Sequence, residues 1–519
     1  MRYSLSLNVN SVVYLALIIC IAVINVASAN EQDYGPQDPP FVANRPIAIV
    51  NGDLIDATGA APKLAYTVII QGEKITDIGP SSQVDIPKGA QVIDAKGMTV
   101  MPGLINANQH LQLNPLFKAP VADIPLDQLK ERWAENFSRM PRTAFTYLMQ
   151  GVTSMRHTSG PAAKILPLKK KIDSGEVAGP RVFLGGALFI SRQHFDAYYA
   201  KKNTNQETID WFSENFAYKV VDDIEEATDE FLGDEYRYWK LYLSDEQYNG
   251  HNDFSDEQIS RFIEKAHQYG KKVDVHAGAT NIGLARIAEF DIDSLEHPFY
   301  GSFEVATSTI NKLVNNDVVI ATLLRPLVAV AEHAMDPHKF SESLFITSMT
   351  PKDYRLLLRY RDKILANIKD KSQPGRALFV NQFADTKTKG SENAVSDFSG
   401  LSYNMIQQRR QRSIENMRRF INAGAKFSIG TDTPTFLNFP QQDPYAVEFS
   451  SLISAGLPPM DAIIAATRNG AQALGVEDKL GTIEEGKIAD VIVVAGNPLA
   501  DADALKRVFA VIKGGVRYK

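Results

Sequence analysis

Five side chains of metal-binding type end or follow short apolar runs spread along the chain. They are His110 in MPGLINANQH, Lys240 in WKLYLS, His276 in VDVHAG, His297 in SLEHP and Asp432 in SIGTDTP. Imidazole and carboxylate ligands suit zinc, manganese and iron. A bound ion with an open position lowers the pKa of its water to about 7 and supplies hydroxide at neutral pH. Brought together in space, these residues would form a metal-dependent hydrolytic centre.

Each of these residues taken alone also has a structural explanation. A histidine within an apolar segment is more often a hydrogen-bonded core residue than a ligand. Asp432 alone could be the N-cap of a helix, and Lys240 alone could be a charge at a strand edge. The argument for a metal site therefore depends on whether the fold brings the residues together.

The middle of the chain, from about Leu104 to Gly475, alternates short apolar runs with helical patterns. Such alternation predicts βαβ units and a parallel sheet. Ser255 with Gln258 predicts a capping box at the start of one helix, and Gly270 its end. Eight runs have strand character: the one beginning at Leu104, GVTSMRHT, PRVFLGG, YRYWKLYLS, KKVDVHAG, IDSLEHP, VVIATLLRP and KFSIGTDTP. Eight strands predict an α/β fold of the (β/α)8 TIM-barrel type, whose strand ends converge on one face.

Both ends of the chain outside this middle are rich in β-branched residues punctuated by Gly, Asp and Pro, which are strand and hairpin signals. We therefore predict a small β-sandwich domain built from residues 46–102 plus 480–519, flanking a barrel at 103–479. Within the barrel, residues 326–425 form a long, charge-rich, helical insertion. Such insertions often cover an active site, although a solvated helical hairpin without catalytic duty is the alternative.

The first residues indicate export. Val12–Val26 is almost wholly apolar and is followed by Ala27-Ser28-Ala29, a small-residue cleavage site. We expect residues 1–29 to be a signal peptide, 30–45 a linker and the protein to be periplasmic or secreted, without a membrane contact after cleavage. An uncleaved anchor helix is the alternative. Cys20 is the only cysteine of the chain and lies in this segment, so cysteine nucleophiles and cysteine metal ligands are excluded from the mature protein.

Composition sets further limits on the class of protein. The 519 residues carry a formal net charge of -6, which gives no reason to expect nucleic acid or an anionic membrane as partner. The content of 44% hydrophobic and 22% charged residues is ordinary for a globular protein. We expect a small-molecule amide or peptide as the substrate, and a homo-oligomer is possible.

The motifs resemble those of the amidohydrolase superfamily, particularly its imidazolonepropionase-like and prolidase-like members. The resemblance is carried by MPGLINANQH, VDVHAG, SLEHP, IGTDTP and the tail from GLPPMDAIIAATRNG to ADVIVV. It implies that Lys240 is carboxylated to a carbamate bridging two metal ions, and that His276 and His297 bind one of them. It further implies that His110 and Asp432 bind the other ion, and that Asp432 is the general base and then the proton donor.

The chain departs from the superfamily pattern PGLID-x-H-x-H at its first histidine, which is Asn108 here. The preceding acid is Asn106. An amide oxygen is a poorer donor than imidazole for zinc-like ions, so Asn108 is a doubtful ligand. Catalytic zinc commonly uses three protein ligands and a water, so the change favours one tight ion over two without abolishing catalysis. We expect zinc, one or two ions per chain, with manganese and iron as alternatives.

Three further residues are candidates for substrate binding. His194 and Tyr242 lie near predicted strand ends, and Arg325 could bind a substrate carboxylate with two hydrogen bonds. The predicted function is hydrolysis of an amide, cyclic amide or dipeptide C–N bond by a metal-activated water. The alternatives are a catalytically silent binding protein of the same fold, and a lactonase or deaminase using the same site.

Overall fold

The computed structural model describes residues 45–112, 123–158, 160, 162–200, 204–215, 218–224, 226–243, 254–277, 280–298, 303–323, 403–433 and 443–519, with single positions between 352 and 359. The strands are β1 (Ile47–Leu54), β2 (Lys63–Gln71), β3 (Lys74–Pro80), β4 (Gln91–Asp94), β5 (Met98–Pro102), β6 (Leu104–Gln109), β7 (Val152–His157), β8 (Arg181–Leu184), β9 (Leu188–Ser191), β10 (Tyr218–Val221), β11 (Tyr238–Leu243), β12 (Lys272–Ala277), β13 (Ser294–Glu296), β14 (Val319–Ala321), β15 (Lys426–Ser428), β16 (Val491–Ala495), β17 (Val508–Lys513) and β18 (Val516–Arg517). The α-helices are Leu126–Phe137, Met140–Met149, Ala162–Asp173, Arg192–Ala200, Gln206–Asn215, Asp256–Gln268, Asn281–Ile287, Thr307–Asn315, Tyr403–Asn422, Pro444–Ala455, Pro459–Ala466 and Arg468–Ala473, with 3₁₀ helices at Glu226–Phe231 and Ala502–Lys506.

The middle of the chain forms two parallel sheets in a TIM-barrel-like arrangement. One has the order β6-β7-β8 and the other β10-β9-β11-β12-β13-β14-β15. Backbone hydrogen bonds join them on both sides. Beside β8 and β11, Arg237 N donates to Leu184 O at 2.9 Å; where β15 ends beside β6, Ala107 N donates to Ile429 O at 2.7 Å. The eight strands predicted from the sequence are all present, as β6, β7, β8 and β11 to β15.

The helix Asp256–Gln268 shows how local sequence sets the helices around these strands. Ser255 accepts a hydrogen bond from the Gln258 backbone, and the Gln258 side chain accepts one from Ser255 N at 2.9 Å. This is the capping box that the sequence predicted. The helix is followed by Gly270, whose φ of 66° lies in the left-handed region. Glycine adopts this conformation without strain because it has no Cβ. One face, with Ile259, Phe262, Ile263 and Ala266, is buried.

Both ends of the described chain contribute to one eight-stranded sheet, with the order β18-β17-β16-β5-β1-β2-β3 and with β4 paired to β1. Alternation along β16 divides its side chains between two cores. Val491 and Val493 belong to the small core of this sheet, whereas Ile492 and Val494 belong to the large core shared with the parallel strands. Because successive side chains of a strand point to opposite faces, β16 packs one face into the core of its own sheet and the other face against the barrel-like domain. The domain boundaries 46–102, 480–519 and 103–479 stay a prediction.

Several predictions fall partly or wholly outside the described residues. These are the signal peptide, the linker up to residue 44, and most of the insertion 326–425. The helix Tyr403–Asn422 of that insertion is described and is docked rather than solvated all round. Asn416 is fully buried and accepts a hydrogen bond from Val305 N at 3.0 Å. Among the described helices, none combines the length and the hydrophobicity that a transmembrane span requires.

Candidate active site

Strand register places several predicted residues side by side. β11 pairs with β12 so that Lys240 lies opposite Asp274 and Tyr242 opposite His276. β12 pairs with β13 so that His276 lies opposite Glu296. Residues two apart on a strand share a face. Lys240, Tyr242, His276 and Glu296 therefore share one face near the carboxyl ends of the strands, the end where barrel enzymes build their sites.

His276 and His297 form the centre of this group. Their ring centroids are 4.2 Å apart with the rings nearly perpendicular. Ligand-type atoms of His276, Glu296 and His297 all lie within 4.8 Å of one another. Two imidazoles and a carboxylate are a donor set that zinc, iron and manganese accept. The donor set therefore fits the divalent ion that the sequence predicted.

The histidines of this group are in the protonation state that metal binding needs. Burial, followed by the charges of His297, Lys240 and His194, holds the pKa of His276 well below its usual value. Burial and the Lys240 cation lower the pKa of His297 to about 4. Both rings are therefore neutral at pH 7, and only the neutral ring binds a metal ion.

Asp432 and His110 form a second pair beside this group. His110 Nε2 lies 2.7 Å from Asp432 Oδ1. Desolvation raises the pKa of the Asp432 carboxyl, but the hydrogen bond and charge of His110, with smaller contributions from His297 and Lys240, bring it below its ordinary value. The carboxylate is therefore ionised at neutral pH and able to accept a proton.

The backbone is left-handed at two of the predicted ligands. φ is 39° at His297 and 49° at Asp432. Backbone hydrogen bonds hold both conformations: His297 N donates to Ala321 O at 3.2 Å, and Asp432 N donates to Asn108 O at 2.8 Å. Positive φ outside glycine is uncommon and tends to occur where function requires it. Its occurrence at these two strand ends is a second, independent mark of a functional site.

Gly430 allows the Asp432 segment to approach β6. A Cβ at this position would lie 2.9 Å from Asn108 Cβ and 2.9 Å from Thr322 O. No real Cβ tolerates such distances to a neighbouring strand on each side. Glycine is thus needed where the segment after β15 passes between Asn108 and Thr322 to bring Asp432 to His110.

Both asparagines of the first strand make hydrogen bonds to protein groups. Asn108 Oδ1 accepts from Thr158 Oγ1 at 2.5 Å. Asn106 Nδ2 donates to Thr431 Oγ1 at 2.8 Å, and Asn106 Oδ1 accepts from Thr431 N at 3.2 Å. These amides link β6 to its neighbours on both sides. A ligand role for Asn108 stays a prediction, and it competes with the Thr158 hydroxyl for the same oxygen.

Tyr242 contacts the histidine pair, and His194 contacts Tyr242. The Tyr242 ring stacks on the His276 ring, with centroids 4.3 Å apart and planes 12° apart. The His194 ring meets the Tyr242 ring edge-on at 4.9 Å. Arg325 lies outside the described residues. The substrate roles of all three residues stay predictions.

Glu296 is the site residue that sequence reasoning missed. It is fully buried, and its carboxylate forms an ion pair with the Lys240 ammonium. Burial and the nearby Asp274 carboxylate raise the pKa of Glu296 well above its usual value, against the opposing effect of the Lys240 and Arg156 cations. An acid inside the apolar strand run of SLEHP was the available signal, because a buried carboxylate needs a cation or a metal as partner.

Local sequence similarity connects the chain to curated proteins of two activities. It is 36% identical over 81 residues to an imidazolonepropionase of Symbiobacterium thermophilum, covering 15% of this chain and 18% of that protein. It is 36% identical over 86 residues to a 5-methylthioadenosine/S-adenosylhomocysteine deaminase of Moorella thermoacetica, covering 15% and 20%. The chain thus matches about a fifth of the length of these relatives.

Solved structures resemble nearly the whole chain. A Xaa-Pro dipeptidase with bound methionine superposes with a TM-score of 0.66 at 22% identity, covering 91% of this chain and all of that one. A molinate hydrolase superposes with a TM-score of 0.66 at 21% identity, covering 92% and 96%. At such identities the likeness shows the fold.

A protein-family model matches far more of the chain than the local sequence relatives do. Residues 99–517 match the amidohydrolase family, so the matched segment contains β6 to β18 and every described residue of the site above. The chain therefore belongs to the amidohydrolase family.

Proposed function

We propose that this protein is a metal-dependent hydrolase that cleaves C–N bonds with a metal-activated water. The observation that carries the proposal is the cluster of His276, Glu296 and His297, whose ligand atoms lie within 4.8 Å of one another. The His110–Asp432 pair adds an ionised carboxylate positioned to move a proton. Membership of the amidohydrolase family supports hydrolysis as the reaction class.

The same proposal includes the finer architecture. We infer that β6, β7, β8 and β11 to β15 form one closed (β/α)8 barrel. The inference is supported by the hydrogen bonds that join the two parallel sheets on both sides. Closure would bring the carboxyl ends of all eight strands to a single mouth.

In the proposed mechanism, His276 and His297 would hold a divalent ion, with Glu296 adjacent. When bound, such an ion would polarise a carbonyl group and lower the pKa of its water to about 7. Asp432 accepts the proton of the attacking water and returns it to the departing nitrogen. His110 keeps the Asp432 carboxylate ionised and oriented through their 2.7 Å contact. Tyr242 stacks on the His276 ring and fixes its orientation.

Zinc is the proposed metal, and Lys240 is the proposed site of carboxylation. Carbamate formation joins CO2 to the neutral Lys240 amine and releases one proton. The assignment is supported by the burial of Lys240 and by its place on the strand face that it shares with His276. Because Asn108 Oδ1 is engaged by Thr158, we propose one tightly held ion rather than two.

Replacing Asn108 by histidine tests the proposed single ion. Asn108→His restores an imidazole donor and should raise the metal content from about one toward two ions per chain. Asn108→His combined with Thr158→Val should bind the second ion at least as well, because Thr158→Val removes the hydroxyl that donates to the side chain at position 108. Elemental analysis after dialysis measures both variants. Two tight ions in the unmodified protein would contradict the proposal.

The proposed substrates are N-acyl amino acids or Xaa-Pro dipeptides. The fold likeness to a Xaa-Pro dipeptidase, and the predicted basic residues His194 and Arg325, support a substrate with a free carboxylate. A neutral cyclic amide is the second candidate, supported by the local match to an imidazolonepropionase. A deaminase, a lactonase and a catalytically silent binding protein remain the alternatives. We also propose export, on the basis of Val12–Val26 and the small residues that follow.

Metal analysis with a substrate screen tests the proposed function. The purified protein is stripped with a chelator, reloaded with zinc or manganese, and assayed on dipeptides, N-acyl amino acids and their carboxamide analogues. We expect activity to disappear with the metal and to return on reloading, with free acids turning over faster than carboxamides. Full activity of the stripped protein would refute metal dependence. Equal rates for acids and carboxamides would favour a neutral substrate.

A further inference from the structure

A charged side chain lies in the interior of the barrel-like domain, below the histidine pair. Arg156 lies on β7 and is fully buried. Interior positions of such barrels are usually filled by Val, Ile and Leu. A buried guanidinium is stable only when its donors are satisfied by acceptors nearby. The contacts of Arg156 therefore show what this charge does.

Arg156 contacts groups on three other strands. Nη1 donates to Ser294 Oγ at 2.6 Å, and Nη2 lies 3.0 Å from Asp274 Oδ1 and 3.5 Å from Glu296 Oε1. Nε donates to Ala107 O on β6. Ser294 Oγ in turn donates to Asp274 Oδ1 at 2.6 Å. One planar guanidinium thus ties together β6, β7, β12 and β13.

Each carboxylate held by Arg156 is next to a candidate ligand. Asp274 is two residues before His276 on the same face of β12. Glu296 directly precedes His297, whose backbone is left-handed. The other carboxylate oxygen of Glu296 is paired with the Lys240 ammonium. Movement of either carboxylate would therefore move a candidate ligand.

Two cations face two acids in this group. Arg156 and Lys240 lie against Asp274 and Glu296, and all four side chains are almost completely buried. Removing the guanidinium would leave two buried acids sharing one lysine, an unfavourable arrangement that they would relieve by moving or by taking up a proton. A lysine at position 156 cannot replace Arg156 fully, because an ammonium lacks the rigid fork of donors that reaches several acceptors at once.

We propose that Arg156 is a positioning residue for the metal site, acting through Asp274 and Glu296. The inference rests on the proposed function, because it assumes that His276 and His297 bind a divalent ion. Groups that orient ligands from outside typically change metal affinity ~10–100-fold when removed. The expected effect of losing Arg156 lies in this range.

Cobalt(II) is the probe for the test, because its affinity and visible absorption report the ligand geometry without a substrate. Arg156→Met should weaken cobalt binding ~10–100-fold and alter the absorption spectrum, and Arg156→Lys should lie between this variant and the unmodified protein. Arg181→Lys is the matched control. Arg181 lies on β8 and is paired with Asp490 at 3.3 Å, away from the histidines. Its cobalt affinity should be unchanged.

A double variant separates positioning from general stability. Glu296→Gln removes a carboxylate that Arg156 holds, so Arg156→Met should lower the cobalt affinity less in the Glu296→Gln background than it does in the unmodified protein. If Arg156→Met does not fold, Arg156→Lys decides. Unchanged cobalt affinity and spectrum in a folded Arg156→Lys or Arg156→Met variant would overturn the inference, even if Tm falls. Failure of the unmodified protein to bind cobalt would instead refute the proposed function.

Discussion

Replacing His276 or His297 by alanine is expected to abolish metal retention. The two rings are 4.2 Å apart, and both are held neutral by burial and by nearby cations. Loss of an outer hydrogen bond to a metal ligand already costs ~10–100-fold in affinity, so loss of the ligand itself should exceed ~100-fold. Metal content after dialysis and hydrolytic rate should fall together in each variant.

His267→Ala is the matched control for this prediction. His267 lies on the helix Asp256–Gln268 and hydrogen-bonds Asp293 at 2.9 Å, away from the strand ends. That hydrogen bond raises the pKa of His267 above the ordinary 6.5, so its contribution to stability is fully present below pH 6.5 and is lost as pH rises through the raised pKa. The control should lose a little thermal stability in acid and keep its metal. If His276→Ala and His297→Ala both fold and both retain the ion, the metal is bound elsewhere and the prediction is wrong.

The sequence predicted the parts of this structure that depend on local pattern. The apolar run at Leu104 and the seven runs after it form strands. Short apolar runs that alternate with helical patterns are typical of buried parallel strands. The residues that end those runs, such as His276 and His297, converge because parallel strands end on one side. The capping box at Ser255 was predictable because both of its hydrogen bonds are made within four residues.

The rest of the site depends on contacts that no local pattern contains. β9 and β10 were not predicted, because the periodicity of a four-residue segment does not distinguish a strand from part of a buried helix. Arg156 and Glu296 lie on strands that are far apart along the chain, with 138 positions between Arg156 and its partner Ser294, and their pairing is visible only after the strands are in register. The positive φ of His297 and Asp432 depends on backbone bonds to the adjacent strands. The sequence shows that Asn108 departs from the family pattern, but only the structure shows that its Oδ1 accepts a hydrogen bond from Thr158.

Asp432→Asn is expected to remove most of the turnover while leaving the fold intact. An amide cannot take the proton of the attacking water, and general acid–base catalysis is worth ~10²–10⁴-fold, so kcat should fall by about that factor. Asparagine is the right replacement, because φ is 49° at this position and asparagine tolerates the left-handed region as aspartate does. The amide oxygen can still accept a hydrogen bond from His110, so part of the local geometry should survive. Steady-state kinetics at saturating metal measures the effect.

Asp443→Asn provides the control, with the same chemical change at a nearby position in the sequence. Asp443 caps the helix Pro444–Ala455 by accepting a hydrogen bond from Ala446 N at 3.0 Å, and asparagine caps helices about as well as aspartate. This variant should keep its turnover and its Tm. Metal analysis of Asp432→Asn separates proton transfer from ligation. A variant that keeps one ion and loses turnover supports Asp432 as the base, whereas one that loses the ion assigns it chiefly to ligation. Turnover near that of the unmodified protein would remove Asp432 from the mechanism and leave the His110–Asp432 contact as a structural link between β6 and the segment after β15.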